Sequence, residues 1–278
     1  MNCFTMNSAF PGQLSGTHPR SSCLLEATGI AKSFGSGTSS ASKLEVVSDF
    51  SLRLETGKLV TMFGPNGCGK STILNILAGI LTPDSGEVVR SSGNASRLSI
   101  GYVFQNHADT LLPWRTVRDN ISFPLEICRS PVGNRNDRIN RRMDQFRLAE
   151  HADKYVYELS GGLKQLVAIA RATVYDPELL ILDEPFSALD YSLSRMLWLR
   201  FREFWANQHV TTVFVSHNVD EAVFLGDRVI VLSSRPARVV ADVEVPFGAD
   251  RSLQLLSSTD FFSTRNQVLD AFERGRVI

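Results

Sequence analysis

A glycine-rich segment between a strand pattern and a helix pattern constrains the fold of this chain most strongly. The segment runs from Gly64 to Thr72 as GPNGCGKST and fits the pattern G-x-x-x-x-G-K-[ST]. Glycines let the backbone turn so that successive N–H groups point at one anion, and the positive end of the following helix adds to the attraction. We expect a phosphate-binding loop between a strand that ends at Phe63 and an amphipathic helix that begins at Ser71. The alternative is a glycine-rich turn with an incidental lysine, which the flanking strand and helix patterns disfavour. The apolar stripe of that helix comprises Ile73, Leu74, Ile76, Leu77 and Ile80.

A second motif supplies the acidic groups that a nucleotide site needs. The apolar run Leu179–Leu182 is followed directly by Asp183 and Glu184. We expect Asp183 to hold Mg²⁺, directly or through water, together with the Ser71 hydroxyl, while Lys70 reaches the β- and γ-phosphates. Glu184 is then the candidate general base for an attacking water. Taken alone, an acidic pair that ends a strand is a solvated turn as often as it is a catalytic pair.

The order of strand and helix patterns predicts an α/β fold with a largely parallel sheet and a helical insertion. Continuous apolar runs such as Leu179–Leu182 are typical of parallel strands that are covered on both faces. The alternating set Phe50, Leu52 and Leu54 instead predicts a strand with one buried face. The expected organisation is a disordered extension (1–23), a nucleotide-binding domain (24–235) with a helical part (about 107–170), a Ser/Gly-rich surface loop (35–42), and a C-terminal tail that packs on the domain (236–278).

Composition excludes several classes of protein. The 278 residues carry 29 Lys+Arg against 29 Asp+Glu, so the formal net charge is zero. Zero charge removes the general electrostatic argument for nucleic-acid binding. We find no apolar stretch of about 18 residues that would span a membrane and no signal peptide. The four scattered cysteines favour a reducing compartment, and six arginines between positions 129 and 147 suggest a solvated helix face.

A third segment, LSGGLKQ at 159–165, precedes an apolar helix pattern. Taken alone it is more typical of an ordinary helix cap than of an anion site. However, six motifs follow one another in the order found in the ATP-binding subunits of ATP-binding-cassette (ABC) transporters, and the chain resembles that family over about residues 24–235. These motifs are the segment 64–72, Gln105, LSGG at 159–162, LLILDEP at 179–185, SALD at 187–190, and Ser216-His217.

The resemblance implies a P-loop ATPase core with a mostly parallel sheet, an antiparallel β subdomain and an inserted helical subdomain. It also implies ATP and Mg²⁺ as cofactors. Phe34 would stack on adenine, with core packing as the alternative, and Asp190 would join the two sites of a dimer. The implied catalytic residues are Glu184, His217, Lys70 and Gln105, and the implied Mg²⁺ contacts are Ser71, Gln105 and Asp183. The implied ATP contacts are Phe34, Gly64, Pro65, Asn66, Gly67, Cys68, Gly69, Lys70, Ser71, Thr72, Ser160, Gly161 and Gly162.

Two further segments are similar to segments found in importers of nitrate, alkanesulfonates, taurine and related small molecules. They are LLPWRTVRDN at 111–120 and DEAVFLGDRV at 220–229. The Leu-Leu-Pro-Trp patch is either a docking groove for a membrane subunit or internal packing of the helical part. Leu166 and Asn218 depart from residues frequent in relatives, but neither is a principal phosphate, metal or base residue.

The resemblance to ABC transporters, and to these importers in particular, also implies which partners the chain has. Two cassettes would close head-to-tail around two ATP molecules, so that Ser160 and Gly162 act on the nucleotide of the other subunit. The other partners would be integral membrane permease subunits and a periplasmic or lipid-anchored substrate-binding protein, with no nucleic acid. The chain would then lie peripherally at the cytoplasmic face of the inner membrane. Alternatives are a soluble ABC-type ATPase that is not coupled to transport, a non-hydrolysing regulator and an exporter subunit.

Overall fold

The computed structural model describes residues 23–35, 43–91, 98–106, 110–128, 132–187 and 189–276. The predicted extension, apart from Cys23, and positions 36–42 of the predicted surface loop lie outside these ranges. The described chain forms two sheets flanked by helices. The predicted fold class is therefore the observed one.

The larger sheet has six strands, which are β3 (Leu59–Phe63), β5 (Ile100–Val103), β6 (Leu179–Asp183), β7 (Thr211–Ser216), β8 (Arg228–Leu232) and β9 (Val239–Glu244). Their order across the sheet is β5-β6-β7-β3-β8-β9. The first five are parallel, and β9 is antiparallel to β8. The central strands are buried along their whole length, which explains their continuous apolar runs. Since parallel strands end at the same edge, the chain segments that follow β3, β6 and β7 emerge side by side.

The smaller sheet is antiparallel and consists of β1 (Cys23–Phe34), β2 (Leu44–Glu55) and β4 (Ser85–Arg90), with β1 in the middle. Phe50, Leu52 and Leu54 of β2 are all buried. The predicted half-buried strand is thus confirmed. The antiparallel subdomain implied by the family resemblance is present as well.

Helix α1 (Lys70–Leu77) begins directly after the glycine-rich loop and packs its apolar face into the core. The prediction that its apolar stripe reaches Ile80 is wrong, because the Ile80 side chain is 61% exposed. The helix ends earlier because Gly79 adopts a φ of 76°, a left-handed conformation that breaks the helical hydrogen-bond pattern. The amides of Ile80 and Leu81 both bond to the carbonyl of Asn75 instead.

The predicted helical part contains α2 (Val117–Ile127), α3 (Val132–Gln145) and α4 (Gly161–Thr173). The arginine set was predicted to lie on a solvated face, and this is wrong for Arg142, which is 3% exposed. Its guanidinium donates to the carbonyl of Thr173 at 2.7 Å and to Asp176 Oδ1 at 2.6 Å. Arg142 therefore joins α3 to the turn that follows α4.

Three helices complete the core, namely α5 (Tyr191–Gln208), α6 (Val219–Leu225) and α7 (Thr259–Arg276). Helix α7 packs against β8, β9 and α6, and the rings of Phe272 and Phe63 lie 5.1 Å apart. Beyond position 236 the chain thus supplies both a strand of the main sheet and a packed helix. Within the described ranges, no helix combines the length and apolar character needed to cross a bilayer.

Candidate nucleotide-binding site

The loop between β3 and α1 has the curvature of an anion cradle. Gly67 and Gly69 adopt φ angles of 72° and 128°, which favour glycine over residues with a Cβ. At Gly69 a Cβ atom would lie 2.9 Å from the carbonyl oxygen of Val46, so the loop could not approach β2 this closely with any other residue. The positive end of α1 lies at the base of the loop.

Lys70 holds this loop from the inside. Its side chain is 5% exposed, and Nζ donates to the carbonyls of Gly64 and Pro65, each at 3.0 Å. Nζ also lies 3.3 Å from Glu184 Oε1. The ammonium group therefore turns two loop carbonyls toward itself and places a positive charge between the loop and the end of β6.

Glu184 is the point at which the predicted catalytic side chains meet. Its Oε2 lies 2.9 Å from His217 Nδ1 and accepts a hydrogen bond of 3.5 Å from Gln105 Nε2. The residue has a φ of 47°, a strained value for a residue with a side chain. Its backbone N–H donates to the carbonyl of Val215 at 3.2 Å, which ties this conformation to β7. The ends of β5, β6 and β7 thus bring Gln105, Glu184 and His217 together.

Asp183 and Ser71 fit the requirements of a Mg²⁺ site. Asp183 is 4% exposed, and its burial raises the pKa of the carboxyl, while a hydrogen bond to the Ser71 side chain acts in the opposite direction. A carboxylate and a hydroxyl side by side next to a phosphate loop are oxygen ligands of the type that Mg²⁺ prefers. Among the described residues no cluster of three or more His, Cys, Asp or Glu offers an all-protein metal cage. Asp183 and Ser71 are therefore the residues that would hold a metal here.

A cleft of about 560 Å³ opens above the loop. Phe34 is 44% exposed and lies at its apolar side, an arrangement that favours ring stacking over core packing. Leu44, Val46 and Arg235 also line the cleft and were not predicted. Gly64, Pro65 and Cys68 are absent from its lining: the first two contribute carbonyls to Lys70, and Cys68 is buried beneath the loop. The full lining is Phe34, Leu44, Val46, Asn66, Gly67, Gly69, Lys70, Ser71, Thr72, Gln105, Glu184 and Arg235.

The structure does not bring Ser160, Gly161 and Gly162 to this cleft. The Ser160 hydroxyl accepts a hydrogen bond from the Leu163 amide and caps α4. A Cβ atom at Gly162 would lie 2.9 Å from a methyl group of Leu193, so this loop packs closely on the first turn of α5. Asp190 caps α5 by accepting a 2.9 Å hydrogen bond from the Leu193 amide. The LSGG loop and Asp190 therefore form a second surface, away from the phosphate loop of the same chain.

A strand, a phosphate loop, a helix and an acidic strand end in this arrangement define a P-loop nucleotide-binding protein. Comparison with known proteins narrows the class. Residues 47–187 match the ABC transporter family. The chain is 36% identical to the aliphatic sulfonates import ATP-binding protein SsuB of Bacillus cereus, over 90% of this chain and 96% of that protein. It is also 36% identical to the taurine import ATP-binding protein TauB of Roseobacter denitrificans, over 81% and 85% of the two chains.

Solved structures agree with this assignment. The ATP-binding cassette MJ0796, solved as a dimer in a post-hydrolysis state with ADP and Pi, covers 81% of this chain with a TM-score of 0.67 and 26% identity. All of that cassette is covered. The chain therefore belongs to the ABC transporter family and is an ATPase of the ATP-binding-cassette type. The fold, the nucleotide and the enzyme class predicted from the sequence are confirmed.

Proposed function

We propose that this chain binds and hydrolyses MgATP to energise the uptake of a small molecule of the nitrate, sulfonate or taurine type through separate membrane subunits. The observation that carries the proposal is the convergence of Lys70, Gln105 and His217 on Glu184 beside the phosphate loop. A regulator that only binds nucleotide would not need this arrangement. The direction of transport rests on the relatives, whose names describe import proteins.

In the proposed reaction, water attacks the γ-phosphorus in line with the leaving oxygen. Glu184 positions this water and accepts its proton, and the neighbouring His217 steadies the γ-phosphate. Lys70 balances the negative charge of the phosphates from within the loop. Mg²⁺, held by Ser71 and Asp183 with Gln105 nearby, would offset charge on the phosphate oxygens.

We propose that the active unit contains two copies of this chain. Ser160 and Gly161 are exposed and lie on a surface separate from the cleft of their own chain. The amino end of α4 is available there to a second anion. In a head-to-tail dimer the LSGG loop of one copy would cover the nucleotide of the other. The similar cassette MJ0796 was solved as a dimer with ADP and Pi, which supports an active unit of two copies.

The proposed contact with a membrane permease lies on the helical part. Within the LLPW segment, Leu111 is 3% exposed and packs internally, whereas Trp114 is 71% exposed. The segment that follows Trp114 pairs with Tyr155, and the ring of Tyr155 stacks on Tyr157, which is 68% exposed. Leu111 therefore packs internally, and the proposed docking surface is limited to the exposed side chains of the patch. Trp114 and Tyr157 offer an apolar surface to a helix of the permease.

The remaining partner in the proposed system is a periplasmic or lipid-anchored substrate-binding protein, and no nucleic acid takes part. The chain would act at the cytoplasmic face of the inner membrane, attached through the permease. Substrate choice would rest with those partners, because the described cleft of this chain is shaped for nucleotide.

The decisive test is uptake in the source organism. Cells that lack this chain are assayed for uptake of labelled taurine, methanesulfonate and nitrate, then complemented with wild type, Glu184→Gln or Trp114→Asp. We expect one of the three uptakes to be lost and to return only with wild type. Purified Trp114→Asp should keep its basal ATPase activity. Normal uptake of all three compounds by the deletion strain, with normal ATP hydrolysis by the purified protein, would instead support an ATPase that is not coupled to this transport.

A further inference from the structure

The turn between β8 and β9 is fixed against the small sheet. The Ala237 amide donates to the carbonyl of Val46 at 2.8 Å, and the Ser48 amide donates to the carbonyl of Ala237 at 3.1 Å. The turn also closes on itself, because the Ser233 amide bonds to the carbonyl of Arg238 and the Arg238 amide bonds to the Ser233 hydroxyl, each at 3.0 Å. This turn is therefore a rigid platform next to the part of β2 that lines the cleft.

From this platform Arg235 reaches the phosphate loop. Its Nε donates to the carbonyl of Gly67 at 3.1 Å, and its Nη2 donates to the same oxygen. Arg235 also lines the cleft together with Phe34 and Lys70. Within the described part of the chain no carboxylate forms an ion pair with Arg235. Its positive charge is thus directed at the loop and at the cleft.

A loop that binds an anion presents its N–H groups to that anion, so its carbonyls need other partners. Lys70 holds the carbonyls of Gly64 and Pro65, whereas Gly67, at a φ of 72°, has its carbonyl held by Arg235. Without this partner the Gly67 peptide would be free to rotate and to present its oxygen to the phosphates. The guanidinium adds a second positive charge to the lining of the cleft.

We propose that Arg235 is a further binding residue of the nucleotide site, which fixes the Gly67 peptide and attracts nucleoside di- and triphosphates. This inference rests on the proposed nucleotide site. It assigns to the turn between β8 and β9 a role in binding the phosphates. Arg235 acts on affinity, because it touches neither Glu184 nor His217.

The test compares Arg235→Ala with Arg238→Ala in the full chain. Arg238 belongs to the same turn but donates to the Ser48 hydroxyl at 3.2 Å, away from the phosphate loop. Calorimetric titration gives Kd for ATP, ADP and AMP, and phosphate release gives KM and kcat. We expect Arg235→Ala to raise Kd for ATP and ADP about tenfold, as the loss of a charged hydrogen bond implies. Its Kd for AMP and its kcat should change less than about twofold, and Arg238→Ala should resemble wild type.

Two more variants separate the hydrogen bond from the charge and keep the test valid if the alanine variant folds poorly. Arg235→Lys keeps the charge but loses the forked donor, and Arg235→Gln keeps one donor without the charge. Both should lie between wild type and Arg235→Ala in their affinity for ATP. Melting temperatures without nucleotide report folding, and the rise on adding ATP should be smaller in Arg235→Ala than in Arg238→Ala.

Wild-type affinity of Arg235→Ala for ATP and ADP would overturn the inference, as would an equal weakening by Arg238→Ala. A loss of kcat with an unchanged KM would overturn it too. In each of these cases a wild-type protein that binds and hydrolyses ATP leaves the proposed function standing. A wild-type protein that binds no ATP would instead remove the proposed function itself.

Discussion

The imidazole of His217 lies against the carboxylate of Glu184, with Nδ1 2.9 Å from Oε2. The two residues belong to segments that follow different strands, β6 and β7, and their contact depends on the parallel pairing of those strands. The other carboxylate oxygen of Glu184 faces Lys70. Glu184 is thus buried between two groups that can carry positive charge, and its position next to the phosphate loop is fixed by the sheet.

The first prediction concerns Glu184 as the general base. Glu184→Gln should lower the rate of phosphate release from MgATP by about 10² to 10⁴, because a neutral amide cannot accept the proton of the attacking water. The Kd for ATP should stay near that of wild type, since the phosphate loop is unchanged. Glu203→Gln, at an exposed position of α5, is the matched control and should keep wild-type turnover. A Glu184→Gln protein that releases phosphate at the wild-type rate would remove the base assignment.

The second prediction concerns the composite site of the proposed dimer. Lys70→Ala impairs the phosphate loop and Ser160→Phe impairs the LSGG loop, so each variant alone should hydrolyse little ATP. In a mixed dimer one site carries both changes and the other carries neither. Mixing the two purified variants should therefore restore phosphate release well above the sum of the separate rates. No recovery in mixtures that form dimers by light scattering would contradict the assignment of Ser160 to the partner's nucleotide.

The site residues that the sequence predicted best are those that lie next to one another along the chain. Lys70 and Ser71 follow the glycines directly, and Asp183 and Glu184 follow an apolar strand, so local pattern and chemistry identify them. Contact between the two groups could be expected because the carboxyl ends of parallel strands share one edge of a sheet.

No local sequence pattern identified Arg235 as a site residue. Its partner, Gly67, is 168 positions away, and the contact arises only because β8 lies next to β3 and the following turn is tied to β2. Arg142 was misjudged for a related reason. Charge runs usually mark solvated faces, and only the packing of α3 against the end of α4 shows that this guanidinium is buried.

The third prediction concerns Arg142 and the stability of the helical part. Arg142→Ala would remove the guanidinium bonds to the Thr173 carbonyl and to Asp176, which would keep the Asp176 amide at 3.0 Å and Arg138 at 3.9 Å, respectively, as partners. The loss of these charged hydrogen bonds should lower the free energy of unfolding by about 1 to 3 kcal/mol. Arg141→Ala is the matched control, because Arg141 is the neighbouring residue and its side chain is exposed. This substitution should lower the free energy of unfolding by less than about 0.5 kcal/mol. Urea denaturation followed by circular dichroism measures both. Equal effects of the two substitutions would show that the buried contacts of Arg142 contribute little.

The last prediction concerns the pH dependence of stability and the buried carboxyl of Glu221. This side chain accepts a hydrogen bond of 2.7 Å from Trp198 Nε1 and a further bond from the Ser216 hydroxyl. Burial nevertheless raises its pKa from 4.5 to about 7, while these hydrogen bonds act in the opposite direction. The folded state then binds more protons than the unfolded state between these two pH values, so Glu221 makes stability fall as the pH rises from about 4.5 through 7.

Glu221→Gln should remove this contribution. The amide oxygen can accept from Trp198, and the amide nitrogen can donate to Ser216, whose hydroxyl also lies 3.2 Å from the carbonyl of Asn218. Relative to wild type, the variant should therefore gain stability between pH 5 and pH 8, by an amount on the order of 3 kcal/mol at most. Urea denaturation at several pH values measures the difference, and Glu203→Gln should show no such trend. A Glu221→Gln difference that is the same at pH 5 and pH 8 would mean that this carboxyl titrates alike in the folded and unfolded chain.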